Sequence, residues 1–202
     1  MARIGLLGGS FNPAHRGHRH ISLAAHRALG LDEVWWLVSP GNPLKPKKGM
    51  APYDARFKSA QLMSRRAPIR ASDFEVHAGT IYTVDTLAAI RKAYPQHEFI
   101  WLMGEDGVAQ FHQWKDWRGL ARTMPIAVMT RPGYKDDARA ARAMGWLRWF
   151  VRPAAQAINW TNWSVPAITF LRLPPDPTSA TALRARDPNW FHDLEATGRN
   201  RS

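Results

Sequence analysis

Apolar positions along the chain alternate between two spacings. Short continuous apolar runs at Ile4–Leu7, Glu33–Val38, Ile69–Phe74, Glu98–Met103, Pro125–Met129 and Ala167–Arg172 have the length and β-branched or aromatic content of buried strands. Between them lie stretches with apolar residues three or four apart. Residues 14–29 carry Ile21, Leu23, Ala24, Ala28 and Leu29 on one face and end at Gly30, and Tyr53–Arg66 carries Phe57, Ala60, Leu62 and Met63. A further helix is predicted from Thr83, as N-cap, to about Tyr94, a surface helix over Asp136–Leu147, and a short one within Thr178–Arg184. Strands alternating with helices predict right-handed parallel units, hence an α/β fold with a Rossmann-like, doubly wound, mostly parallel sheet and helices on both faces.

The first junction carries the most chemistry. The run Ile4–Leu7 breaks into Gly8-Gly9-Ser10, and Asn12-Pro13 predicts a helix start with Asn12 as N-cap and Pro13 in the first turn. A strand, a glycine turn and a helix N-terminus present free backbone N–H groups and the positive end of a helix dipole, a site for an anion. His15 and His18, three apart, share a face of the first turn, with Gly17 leaving room for close approach. From Met1 to Leu31 there are four Arg, four His and no Asp or Glu, which suits phosphate. A histidine metal site is the competing reading, but a hydrolytic metal usually takes a carboxylate as well, and none is local. The dinucleotide fingerprint G-x-G-x-x-G also fails, because the glycines stand at Gly5, Gly8 and Gly9.

A second candidate anion site lies near the other end. Ser179 and Thr181 place hydroxyls at a helix start and Arg184 adds a guanidinium fork. Between the two, Glu98–Met103 ends in Gly104-Glu105-Asp106, where an acid just past a strand can accept from ribose hydroxyls or an adenine amino group. Trp114 follows, either as a stacking surface for a flat ring or as packing. Trp146, Trp149, Trp160 and Trp163 are read as one cluster, for core packing or a dimer contact.

Composition narrows the class. At 202 residues with 45% hydrophobic and 22% charged residues, the chain is expected to be one globular domain, its segment from about 175 to 202 forming a small helical part with the second phosphate motif. The absence of cysteine excludes disulfides, thiolate metal sites and cysteine nucleophiles. No signal peptide or apolar run near 18 residues is apparent, giving an expectation of a cytoplasmic protein with no membrane partner. The net charge of +12 implies anionic partners, nucleotides or nucleic acid. Scattered arginines and no recognition-helix or aromatic RNA motif argue against nucleic acid.

Gly-Gly-Ser-Phe-Asn-Pro-x-His-x-Gly-His, ending in His15-Arg16-Gly17-His18, resembles the signature of the H-x-G-H nucleotidyltransferases. Tyr82-Thr83, Gly104-x-Asp106, Phe111-x-x-Trp114, Arg131-Pro132-Gly133 and Ser179-x-Thr181-x-x-Arg184 resemble segments of the bacterial nicotinate-mononucleotide adenylyltransferases. Thr178 stands where that family usually has Ile. The resemblance implies adenylyl transfer from ATP, accompanied by Mg²⁺, to nicotinate mononucleotide, giving deamido-NAD and pyrophosphate. It implies catalysis by His18, His15 and Arg184. ATP would be held by Gly8, Gly9, Ser10, Phe11, His15, Gly17, His18, Lys45, Gly104, Asp106, Ser179, Thr181 and Arg184. The acceptor would be held by Asn12, Tyr82, Thr83, Trp114, which stacks on its ring, and Arg131. No protein-bound metal is implied. Enzymes of the same class acting on nicotinamide mononucleotide or phosphopantetheine are the nearest alternatives, and the oligomeric state is left open.

Overall fold

A computed structural model describes residues 1–41, 49–130, 140–173, 178–192 and 194. Six strands, β1 (Arg3–Gly9), β2 (Glu33–Val38), β3 (Ile69–Ser72), β4 (Glu98–Gly104), β5 (Ile126–Thr130) and β6 (Ile168–Arg172), form one sheet in the order β3-β2-β1-β4-β5-β6. Every pairing between them is parallel. The helices of the first half are α1 (Arg16–Leu29), α2 (Tyr53–Ser64), α3 (Phe74–Ala78) and α4 (Thr83–Ala93). Beyond β4 come α5 (Glu105–Gln110), α6 (Trp117–Thr123), a short helix Met144–Leu147, a 3₁₀ segment Ala154–Asn162 and the helix Ala180–Arg186.

Strand alternation sends successive residues to opposite faces, and two cores result. Ile4, Leu6, Trp35, Leu37 and Trp101 pack with Leu87 and Ile90 of α4, Val108 of α5 and Leu120 of α6. Leu7, Val34, Trp36 and Ile100 pack with Ala25 and Leu29 of α1, Ala60 of α2, and Trp160. The fold is α/β and Rossmann-like. The strand order reverses between β1 and β4, and in such sheets the crevice beyond the carboxyl ends at that seam receives ligands.

Four local expectations are corrected. The first helix begins at Arg16 with His15, not Asn12, as N-cap. The reason is that both ends of the Asn12 amide are occupied: Nδ2 donates to the Gly49 carbonyl (2.9 Å) and Oδ1 accepts from the Ala51 N–H (3.2 Å). Thr83 is the first residue of α4, capped by Tyr82. The third strand stops at Ser72, and Phe74 opens α3. Of the surface helix expected over Asp136–Leu147, residues 136–139 lie outside the described residues, Ala140 and Met144–Leu147 are helical, and a bend and turn at residues 141–143 interrupt it.

The four late tryptophans are not one cluster. Trp146 packs edge-on to Trp117 (5.5 Å) against the core beneath α4 and α6. Trp160, 1% exposed, lies across the sheet beside α1 and donates its Nε1–H to the Leu29 carbonyl (2.9 Å), closing that helix, with Trp163 next to it. Trp149 is 75% exposed.

Candidate active site

The loop leaving β1 is held from both sides. Phe11 adopts φ 46°, a left-handed conformation that costs a non-glycine residue about 1 kcal/mol. Burial offsets it: the Phe11 ring is 1% exposed and stacks on Trp36 at 5.0 Å. Beneath the loop lies Arg56 of α2, also 1% exposed. Its guanidinium donates to the carbonyls of Ala51 (3.1 Å), Ser10 (2.7 Å), Ser39 (2.8 Å) and Pro40 (3.4 Å). One side chain thereby fixes the chain leaving β1 against the chain leaving β2. Burial lowers the Arg56 guanidinium from its ordinary value, opposed by the neighbouring Tyr53 phenol.

At the start of α1 the two histidines cap each other's backbone. His15 Nδ1 accepts from the Gly17 N–H (3.1 Å), His18 Nδ1 accepts from the His15 N–H (3.2 Å), and the rings lie 3.8 Å apart. An Nδ1 that accepts a backbone N–H leaves the proton of the neutral imidazole on Nε2. Each ring is therefore a donor through its far nitrogen. No acid stands in the first turn of α1.

The second motif folds back onto the first. Arg184 Nη1 donates to the Asn12 carbonyl (2.6 Å) across 172 residues, and Nη2 reaches the Thr181 hydroxyl (3.4 Å). Ser179 caps its helix, accepting from the Ala182 N–H (3.2 Å). A Cβ on Gly17 would stand 3.0 Å from the Thr178 carbonyl and 2.9 Å from the His15 ring, so only glycine admits this approach. The structure thus brings His15, Gly17, His18, Ser179, Thr181 and Arg184 together around Asn12.

Beside them, at the seam between β1 and β4, opens a cavity of about 450 Å³. Gly8, Gly9 and Ser10 form one wall, Tyr82 and Thr83 another, and Trp101, Asp106 and Trp114 a third, with Ser39 and Glu75 between. Trp114 packs by its edges on Phe111 (5.4 Å) and Trp101 (6.3 Å), which holds the half-buried indole at the cavity wall. Packing and ligand stacking are compatible here. Lys115 lies over the Tyr82 ring (4.5 Å) and pairs with Asp85 (2.9 Å). Gly104 ends β4 and Asp106 is exposed at the rim. Lys45 and Arg131 lie outside the described residues. A Cβ on Gly8 would meet the Trp101 ring at 2.6 Å. We expect Gly8→Ala to push that indole into the cavity and raise the KM for substrates at least about tenfold, a loss of roughly 1.4 kcal/mol of binding. An unchanged KM would exclude that crowding.

Sequence reasoning missed Arg56, Glu75 and Trp101. Arg56 stands four residues before Ala60 on the apolar face of α2, the one local signal of its burial, whereas Glu75 stands beside the exposed Val76 and carries no such signal. Glu75 is 7% exposed. The Thr86 hydroxyl, within reach of Thr80 (2.8 Å), donates to Glu75 Oε1 (3.2 Å) or to the Tyr82 carbonyl (3.2 Å). Oε2 is buried with no hydrogen-bond partner among the described residues. Burial pushes the Glu75 carboxyl up to about 7, against the opposing hydrogen bonds of Thr86 and Ser39.

That shift is a stability statement. Between about pH 4.3, where an unfolded Glu ionises, and about 7, the folded chain keeps a proton the unfolded chain has released. Stability is therefore full below that window and falls as pH rises through it, by at most about 4 kcal/mol. Denaturant midpoints at about pH 5 and 8 are expected to fall in the wild type and to stay level in Glu75→Gln. Parallel falls in both proteins would remove Glu75 as the cause.

Comparison with known proteins gives the family. Residues 6–186 match the model of the family described as "Cytidylyltransferase-like". The chain is 60% identical over 188 residues, 93% of its own length and 86% of the relative's, to a protein of Erythrobacter litoralis named "Probable nicotinate-nucleotide adenylyltransferase". The chain belongs to the nicotinate-nucleotide adenylyltransferase family. A Parvibaculum lavamentivorans protein of the same name is 50% identical over 91% of this chain and 92% of its own. Among solved structures, the Plasmodium falciparum nicotinic acid mononucleotide adenylyltransferase complexed with NaAD superimposes with a TM-score of 0.67 at 16% identity, covering 92% of this chain and 83% of that one. At that identity the likeness speaks for the fold. No helix among the described residues is long and apolar enough to cross a membrane.

Proposed function

We propose that this adenylyltransferase transfers the adenylyl group of ATP to nicotinate mononucleotide, releasing pyrophosphate and deamido-NAD. The observation that carries the reading is the convergence of the two anion-binding motifs on Asn12, next to a cavity walled by Trp114, Tyr82 and Thr83. A triphosphate suits the first and a nucleotide with a flat ring the second.

The reaction needs no protein base. The acceptor phosphate, with a second pKa of about 6, is already largely ionised at neutral pH. It attacks the α-phosphorus of ATP, the bond to the bridging oxygen breaks, and pyrophosphate leaves with the electron pair. What the protein supplies is alignment and donors for the accumulating charge. In this assignment His18 Nε2–H donates to the α-phosphate, while His15, Arg184 and Lys45 hold the outer phosphates. Mg²⁺ is assigned to the substrate, MgATP, where the phosphates supply its ligands.

Pyrophosphate release is the test, with MgATP and, in parallel, nicotinate mononucleotide, nicotinamide mononucleotide and phosphopantetheine. Strong preference for the first is expected. Preference for either of the others would retain the phosphate chemistry and overturn the acceptor pocket.

A further inference from the structure

Glu75 has no part in the transfer just described, yet it occupies the wall of the acceptor cavity and is the only carboxyl among the described residues that is both buried there and short of a partner. Its surroundings favour the neutral acid. One oxygen shares the Thr86 hydroxyl with the Tyr82 carbonyl, and the nearby Ser39 hydroxyl donates to the Gly41 carbonyl (2.6 Å), leaving Oε2 with no hydrogen-bond partner among the described residues. A buried carboxylate supplied with so few donors is costly, whereas a carboxylic acid is not. The same Thr86 contact ties Glu75 to Tyr82 and the start of α4, so the state of this carboxyl is felt directly at the pocket wall.

The two pyridine mononucleotides that could enter differ at one group. Nicotinate carries a ring carboxylate, and nicotinamide an uncharged amide. A wall carboxyl that is neutral treats them alike in charge, and one that is ionised repels only the acid. Resting on the acceptor assignment above, we infer that Glu75 is a specificity-determining residue of this enzyme: uncharged, it admits the acid nucleotide, and ionised, it turns the pocket toward the amide.

The other titratable and charged groups around Glu75 are accounted for. On α2 they are Tyr53, Asp54 and Arg56. Tyr53, pushed up to about 12 mainly by burial, keeps its proton throughout, and Arg56 is committed to four carbonyls. Asp73, at the N-cap of α3, and His77, within it, pair with each other at the surface (3.5 Å). Asp85 of α4 pairs with Lys115, and Asp106 stands across the cavity at the rim.

The experiment is the ratio of kcat/KM for nicotinate over nicotinamide mononucleotide, measured from about pH 5.5 to 8.5 on either side of a carboxyl near 7. Protonation of the nucleotide phosphate is common to both acceptors and cancels in the ratio, and a slope that comes from any other group of the pocket persists in Glu75→Gln. In the wild type the ratio is expected to fall on the order of tenfold as pH rises, the size expected for two charges ~10 Å apart at an effective dielectric near 20. The change should lie in the acceptor KM rather than kcat. In Glu75→Gln, which imitates the protonated acid, the ratio is expected to be level with pH, and in His77→Asn the wild-type slope should persist. A level wild-type ratio, an equal slope in Glu75→Gln or a slope lost in His77→Asn overturns the inference. The wild-type measurement decides even where the glutamine variant fails to fold. Failure of the acceptor assignment reads differently, as wild-type enzyme turning over neither mononucleotide at any pH.

Discussion

His18→Ala is expected to lower turnover by on the order of 100-fold or more while the protein stays folded. The size follows from the role: one preorganised donor aimed at charge that develops in the transition state is worth roughly 3–4 kcal/mol. The hydrogen bond from the His15 N–H to Nδ1 places the donor hydrogen on Nε2, and ring contacts with Phe11 (4.8 Å) and Trp36 (6.0 Å) hold the imidazole in place. The structural cost is smaller. The variant loses half of the reciprocal cap at the start of α1, about 1 kcal/mol. Steady-state kinetics beside a thermal melt separate the two: a collapse of kcat, a modest change in KM for ATP and a melting point within several degrees. Near-normal kcat would remove His18 from the transfer step.

The second large effect is on stability. Arg56→Ala is expected to cost roughly 3–5 kcal/mol, because it strips four carbonyls of a buried partner rather than removing a surface charge. Arg56→Lys should recover little of it. An ammonium is a point charge on a flexible stem and cannot span the carbonyls of Ser10, Ser39 and Ala51 as a planar fork does. Both variants should also bind substrates poorly, since the loops after β1 and β2 lose their common anchor. Urea unfolding of the three proteins is the check. A loss below about 1 kcal/mol in Arg56→Ala would show that water replaces the guanidinium at no cost, and that these loops hold themselves.

What the sequence revealed and what it hid divide by range. The strands, the glycine turn of Gly8 and Gly9, the shared face of His15 and His18 and the Ser179 hydroxyl at a helix start are set by neighbours a few residues apart, and the six-strand α/β fold follows from their alternation. The first helix start was misplaced because Asn12 is a favoured cap residue by type, and what removes it from that task is a bond to Gly49 and Ala51. His15 takes its place, a residue outside the usual cap preferences. Arg56 and Glu75 escaped notice for a related reason. A charge inside an apolar helical pattern is read as solvated, and only the tertiary partners of Arg56, up to 46 residues away, show that it is buried. Trp146 and Trp160 looked like one group because they are near in sequence, while the chain between them passes from one face of the sheet to the other.

The bond from Arg184 to the Asn12 carbonyl also sets a clock. On the ribosome, Arg184 is made 172 residues after Asn12. At about 5–20 residues per second, that is roughly 10–35 s of translation. Through that interval the nascent chain carries the histidines without the arginine that closes over them. The contact between the two motifs therefore forms only after all six strands of the sheet have been made.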